Sequence, residues 1–592
     1  EAETTYVFDA RQSANTKYTK TYYTLTYTPQ VVESTIKSVE HSADSGVVYY
    51  SVVTGAGYDR VKIALASDPS KALAVGSKAT DNGDGTFTNP VLWSDCPDPD
   101  LIRVGDDYYL VSTTMHLMPG APIMHSKDLV NWEIVSYVFD RLEETPFYSL
   151  EEGTVYGRGQ WATSLRYKDG RFFAYFTPND QPPKGWVYST TDPVNEKWEL
   201  YSVLPHFHDA SLFFDDNGKA YMVYGTGQIR ELKPDLTDVQ EGGLDMQIFQ
   251  RDKEENNLLE GSRMFKKDGK YYLLMISWPR GGIRREVCYR ADKIEGPYEK
   301  KVILETPFGG LGAGVAQGTI VDTPEGEWYG MFFQDRDGLG RAPALMPCTW
   351  IDGWPMLGDK DGKVPEIMEK PVQGYPVKGI TKSDDFRSEK LDLCWQWNHN
   401  PVDEAWSLTE RPGYLRLKTN KVVETLYTAR NTITQRMEGP QSSGVVALDL
   451  KGMKVGDKAG FSAFNSDAAV MTVECREDGK YLVLTEESVK LHPRNKAVTD
   501  VKKEVIEEIP LKKDKIYLRI DADFRPGETR DIAKLWYSLD NKEWNRMGGD
   551  YKMRFDWQRF FMGTKFAIFN YATQEAGGHV DVDFFSYEKI NN

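Results

Sequence analysis

Gly269-Lys270-Tyr271-Tyr272 turns the chain and opens a strand, and four other stretches repeat the form: Asp106-Asp107-Tyr108-Tyr109, Gly170-Arg171-Phe172-Phe173, Gly218-Lys219-Ala220-Tyr221 and Gly326-Glu327-Trp328-Tyr329. Each lies between short apolar or alternating runs, so each reads as strand, tight turn, strand. The last residues of the five units are spaced 64, 48, 51 and 57 apart. An irregular, blade-sized period in a chain of short strands predicts a β-propeller, and five units predict five blades. Two stacked sandwiches would not need the same hairpin five times.

Around this repeat, which occupies residues 86–370, the chain divides further. Residues 1–80 are rich in Tyr, Thr and Val and predict a small β-rich N-terminal module of unknown role. A Pro- and Gly-bearing stretch at Lys370-Pro371-Val372-Gln373-Gly374-Tyr375-Pro376 reads as a linker. Over 380–592, strands such as Ile516-Tyr517-Leu518-Arg519-Ile520 alternate at period two, the pattern of an antiparallel sandwich with one wet face. The expected fold class is therefore all-β: a five-bladed β-propeller followed by a β-sandwich. At 592 residues the chain is too long for one core.

The chain is 40% apolar and 27% charged, with a net charge of −17. That balance repels nucleic acid and anionic membrane and suits a neutral substrate. No apolar run approaches the ~18 residues that membrane insertion by a helix requires. The five cysteines are odd in number and widely spaced, which predicts isolated buried thiols.

Counting back from each turn locates the start of each blade's first strand. Twelve residues before Phe173, Tyr221, Tyr272 and Tyr329 stand Trp161, Asp209, Glu260 and Gln317; eleven before Tyr109 stands Asp98. The innermost strands of a propeller start at one end of the axis, so these five positions are expected to converge on one cavity. Three crowded carboxylates repel one another and are costly without a use. Glycoside hydrolysis supplies the use, with one carboxylate as base or nucleophile and one carboxyl as acid on opposite sides of a sugar. A third acid nearby keeps the proton on the general acid by like-charge repulsion, and Trp161 offers a flat wall for a sugar face. Strand capping or an axial cation is the bland alternative. No phosphate loop, Ser-His-Asp signature or HExxH competes.

At these residues the sequence resembles glycoside hydrolase family 43, the inverting five-bladed-propeller enzymes that include β-xylosidases and α-L-arabinofuranosidases. The resemblance runs through Asn89-Pro90-Val91-Leu92, Pro97-Asp98-Pro99-Asp100-Leu101-Ile102-Arg103, Ser126-Lys127-Asp128-Leu129-Val130-Asn131-Trp132-Glu133, Trp161-Ala162, Asp209-Ala210-Ser211-Leu212-Phe213, Leu259-Glu260-Gly261 and Gly340-Arg341. It spans about 88–358, and 380–592 resembles the concanavalin-like sandwich found behind many such propellers. The resemblance implies Asp98 as general base, Asp209 as the residue that tunes and orients, Glu260 as general acid, and Arg341 beside the sugar. Where many members carry a fifth-blade histidine tied to an axial metal, this chain has Gln317.

Further candidates for substrate binding are His208, whose neighbour His206 completes no recognisable metal set, and Met115 with His116 after the first blade's Ser112-Thr113-Thr114, although core packing explains Met115 equally well. No cofactor is required and no metal residue is assigned. A structural calcium would find carboxylates at Asp385, Asp581 and Asp583, although solvated faces are the default for them and nothing supports the ion. The expected function is exo-acting, inverting release of a terminal pentose (β-D-xylose or α-L-arabinofuranose) from plant cell-wall oligo- or polysaccharide, in the periplasm or outside the cell. A non-catalytic carbohydrate-binding propeller is the rival; it would be expected to lose one of the three acids.

Overall fold

The computed structural model describes residues 80–590 apart from 180–182 and 256, and ahead of residue 80 six strand segments, from Tyr6–Asp9 to Asp68–Ser77. The role of the N-terminal module thus lies outside the described residues.

Five four-stranded antiparallel sheets follow in chain order, each with its strands in sequence order from the axis outward. Their innermost strands are Asp100–Val104, Ser164–Lys168, Ser211–Phe214, Leu258–Lys267 and Val315–Asp322. These five abut one another in a closed ring, the last against the first. The repeated aromatic pair explains why the ring forms. Neighbouring strand residues point to opposite faces, so each pair feeds the two cores flanking its blade. Phe172 packs with blade 1 residues Val111 and Ile123, while Phe173 packs with blade 3 residues Leu212 and Met222. Tyr271 likewise joins Phe213 and Val223, and Tyr272 joins Phe332 and Met346. Tyr108 meets Met331 and Leu345, closing the circle between blades 5 and 1.

Closure is reinforced outside the blades by Thr86–Thr88 pairing with Ile367–Glu369. The stretch expected to be a linker opens on part of this closure. Lys370 is buried, with Nζ 2.6 Å from Asp81 and 3.3 Å from Asp128. A composition rich in Pro and Gly hid a lysine that two buried carboxylates hold in place.

The C-terminal strands form a seven-stranded and an eight-stranded sheet that enclose the largest apolar core. The edge of the eight-stranded sheet comes from the propeller: Leu117–Met118 of blade 1 pairs with Gln396–Asn398. Asp95 ties the same junction by charge. It accepts from the Arg341 and Gly563 amides (3.0 and 2.8 Å) and lies 3.1 Å from Lys565 Nζ, all buried. Two of the three sandwich carboxylates are buried rather than solvated as expected. Asp581 is buried between Arg411 and Arg416, Asp583 is buried beside Lys515, and Asp385 lies 3.4 Å from Arg387. Basic side chains pair with all three carboxylates.

Candidate active site

Asp98, Asp209 and Gln317 stand at equivalent points just before or at the start of innermost strands, and all three have left-handed backbone (φ 53, 46 and 59°). In blade 4 the left-handed residue is Gly261 (φ 72°), so Glu260 lies one position earlier than counting placed it. The hairpin turn of blade 4 is the short two-residue kind of blade 1, so the equivalent position stands eleven residues before Tyr272 rather than twelve; a bulge lies between Glu260 and Arg263. Gly261 cannot be replaced cheaply, since a Cβ there would stand 3.0 Å from the Gln317 side chain. Aspartate is among the few residues that adopt this backbone readily, which suits it to the first and third blades.

Asp98 is buried and fully engaged. Its Oδ1 accepts from Arg341 Nη1 at 3.0 Å and its Oδ2 from the Thr113 hydroxyl at 2.6 Å. Glu260 is more open and lies 3.3 Å from His208 Nε2, which is also 3.9 Å from Asp209 Oδ1. Asp209 is pushed up to about 7, mainly by burial, with repulsion from Glu260 and Asp98 outweighing part of the relief from His208. His208 rises to about 9, principally through the Asp209 charge, with Glu260 adding to it. Within this cluster His208 and Asp209 hold their protons to neutral pH and above. His208, Asp209 and Glu260 offer ligand atoms within 4.8 Å of one another, close enough to hold a divalent ion. His206 lies parallel to His208 at 6.4 Å but is not part of that set.

Trp161 stands beside this cluster, 5.9 Å from His208 between ring centroids. Gln160 fixes it by bridging blades, accepting from the Thr114 amide at 2.7 Å and donating to Thr163 Oγ1 at 2.7 Å. Met115 does not line the site. It is fully buried with Leu117 and Met562, beneath Trp161 and Phe561, and its role is packing. His116 is also buried, edge-on to Tyr156 and Phe560, and burial drives its pKa down to about 3. Gln317 is buried as well, its side chain against Gly261 and its backbone N–H donating to the Glu286 carboxylate at 2.8 Å.

Several contributors carried no sequence signal. Phe561 reaches in from the sandwich, its ring centroid 4.2 Å from the Arg341 guanidinium and 5.8 Å from the Trp161 centroid. Its turn is anchored by Asp556, whose carbonyl accepts from the Phe561 amide at 2.9 Å, and by Arg559, which pairs with Asp467 at 2.8 Å. Beneath the carboxylates, fully buried Arg263 donates to the Asp98 carbonyl at 3.3 Å and lies 3.3 Å from Asp100 Oδ1. Arg166 holds the other Asp100 oxygen at 2.7 Å. Two guanidinium groups thus supply the positive charge beneath the site.

A buried base position braced by an arginine, facing a more open carboxyl beside a third acid, suits hydrolysis of a glycosidic bond. Comparison with known proteins agrees. Glycosyl hydrolases family 43 matches residues 87–355, and the Beta xylosidase C-terminal Concanavalin A-like domain matches 383–588. A protein of Formosa agariphila named beta-xylosidase is 31% identical, over 89% of this chain and 96% of its own length. The chain belongs to glycoside hydrolase family 43. Another relative of this hydrolase, from Bacteroides ovatus, is named a non-reducing end alpha-L-arabinofuranosidase; it is 32% identical over 56% of this chain and 65% of its own. A solved structure, a bifunctional GH43-CE protein of Bacteroides eggerthii, superposes with a TM-score of 0.78 at 40% identity. The match covers 85% of the hydrolase and 64% of that longer protein.

Proposed function

We propose that the enzyme is an exo-acting, inverting glycosidase that releases a terminal β-D-xylose or α-L-arabinofuranose from xylan-type oligo- and polysaccharides, and that it works in the periplasm or outside the cell. The observation that carries this reading is the unequal setting of the carboxylates. Asp98 is locked between Arg341 and Thr113, while Glu260 shares His208 with Asp209. Asp98 acts as the base that takes a proton from water on one face of the sugar. Glu260 protonates the departing oxygen on the other. Asp209 and His208 hold the proton supply and orient Glu260. Arg341, Trp161 and Phe561 enclose the terminal sugar, and this closure by a sandwich residue supports attack at chain ends. Asp98, Asp209 and Glu260 are all present, which argues against a purely binding propeller.

The test is incubation with aryl β-xyloside and aryl α-L-arabinofuranoside while the first-formed sugar is followed by proton NMR. Release with inverted anomeric configuration supports the proposal. Retention of configuration, or no release from either glycoside, overturns it.

A further inference from the structure

Trp278 ends the second strand of blade 4, Lys270–Trp278. Second strands run back toward the end of the axis at which the first strands begin, so this residue arrives on the catalytic side. Its strand pairs with the one that carries Glu260: Ile276 stands opposite Glu260, and Trp278 stands two residues further toward the mouth, opposite Leu258. That step is about 6–7 Å along a strand, the length of one sugar ring. Trp278 is 38% exposed, so a face of its ring is open to a ligand.

The ring is also held still. Its N–H donates to the Gly282 carbonyl at 3.0 Å, and the Arg284 guanidinium lies 5.0 Å from its centroid. Arg284 pairs with Asp335, which faces Arg341 across the blade 5 hairpin. Arg284 and Arg341 both approach the Phe333 ring, at 6.0 and 5.4 Å. The platform is thus tied to the arginine that braces Asp98.

We propose that Trp278 is a specificity-determining residue, the stacking platform for the sugar on the leaving-group side of the scissile bond. The proposal rests on the function given above: the general acid protonates the glycosidic oxygen, so the departing sugar lies on the Glu260 side, where Trp278 stands.

The experiment compares kcat/KM for β-1,4-xylobiose with kcat/KM for β-xylosyl fluoride, whose leaving group is too small to stack. If arabinose proves the preferred terminal sugar, the corresponding arabinofuranosyl pair is used. Trp278→Ala is expected to lower the disaccharide-to-fluoride ratio about tenfold, and Trp278→Phe to keep most of it. Arg284→Met, which frees the ring without removing it, is expected to lower the ratio by a smaller factor, about threefold. It also carries the test if the alanine variant fails to fold. A ratio within about twofold of wild type in Trp278→Ala, or in Arg284→Met where that variant must stand in, overturns the proposal whichever way the absolute rates move. Wild-type failure on both substrates is a different result: it overturns the function itself, and the platform with it.

Discussion

Asp98 and Glu260 respond differently to the leaving group, and that difference separates their roles. Glu260→Ala should lose about 10²–10⁴-fold on an alkyl glycoside and much less on a dinitrophenyl glycoside, whose phenolate departs unprotonated. Asp98→Ala should be nearly inactive on both, because no leaving group supplies a base for the water. Steady-state rates on the two substrates check this. His208 makes a separate prediction through pH. Its pKa is raised from 6.5 to about 9, so its charge contributes stability that is complete below about 6.5 and lost as pH rises through about 9. Asp209 has the same sign in a lower window: its contribution is complete below about 3.8 and lost as pH rises through about 7. The Tm should therefore fall across both windows. In His208→Asn the imidazole's share of the fall should vanish, and the Asp209 carboxyl, freed from the cation that holds it down, should titrate above about 7 by carbon NMR. The acids themselves were legible in the sequence because the hairpin spacing fixes where innermost strands start. Met115 and His116 pack in the interior because a left-handed turn at Met115 (φ 53°) leads the chain into the domain junction, which no local pattern reveals.

Among elements, the turn from Asp556 to Phe561 brings a sandwich side chain to the site. Phe561→Ala should raise KM by about tenfold, the size of effect expected when an aromatic ring is removed from the wall of a closed pocket. Arg559→Ala should reproduce part of that effect without touching substrate, because Arg559 pins the turn to Asp467 and to the Ser466 and Val489 carbonyls. Measured KM for the two variants, with Tm as control, would show whether the turn must be held in place or only present. The blades were readable because paired aromatics after each turn serve two cores at once. This turn was not, since Phe561 belongs to a different domain and its partner Arg341 lies 220 residues away. The bulge at Gly261 was invisible for a related reason: one extra residue shifts the register without altering the hydrophobic pattern.

At the scale of the whole molecule, propeller and sandwich share a charge pair, a sheet edge and an active-site wall. Asp95→Ala would leave Lys565 buried without its partner and should cost about 3–5 kcal/mol. It should also disturb Arg341, whose amide Asp95 holds. Calorimetry would detect this as a lower Tm with the single transition retained. The two-domain outline could be read from composition and alternation, whereas the junction could not: Asp95 and Lys565 look like ordinary surface charges until the fold brings them together.

The sandwich strand order bears on how the enzyme is made. His579–Ile590 lies in the interior of the seven-stranded sheet, between Leu415–Lys418 and Gln441–Asp449. A ribosome-bound chain that has exposed all five blades still has a gap in that sheet and an unsupported turn where Phe561 must sit. Catalysis should therefore switch on abruptly, when the strand that fills the gap emerges. A stalled nascent chain would hold a finished propeller that cannot yet cut its substrate.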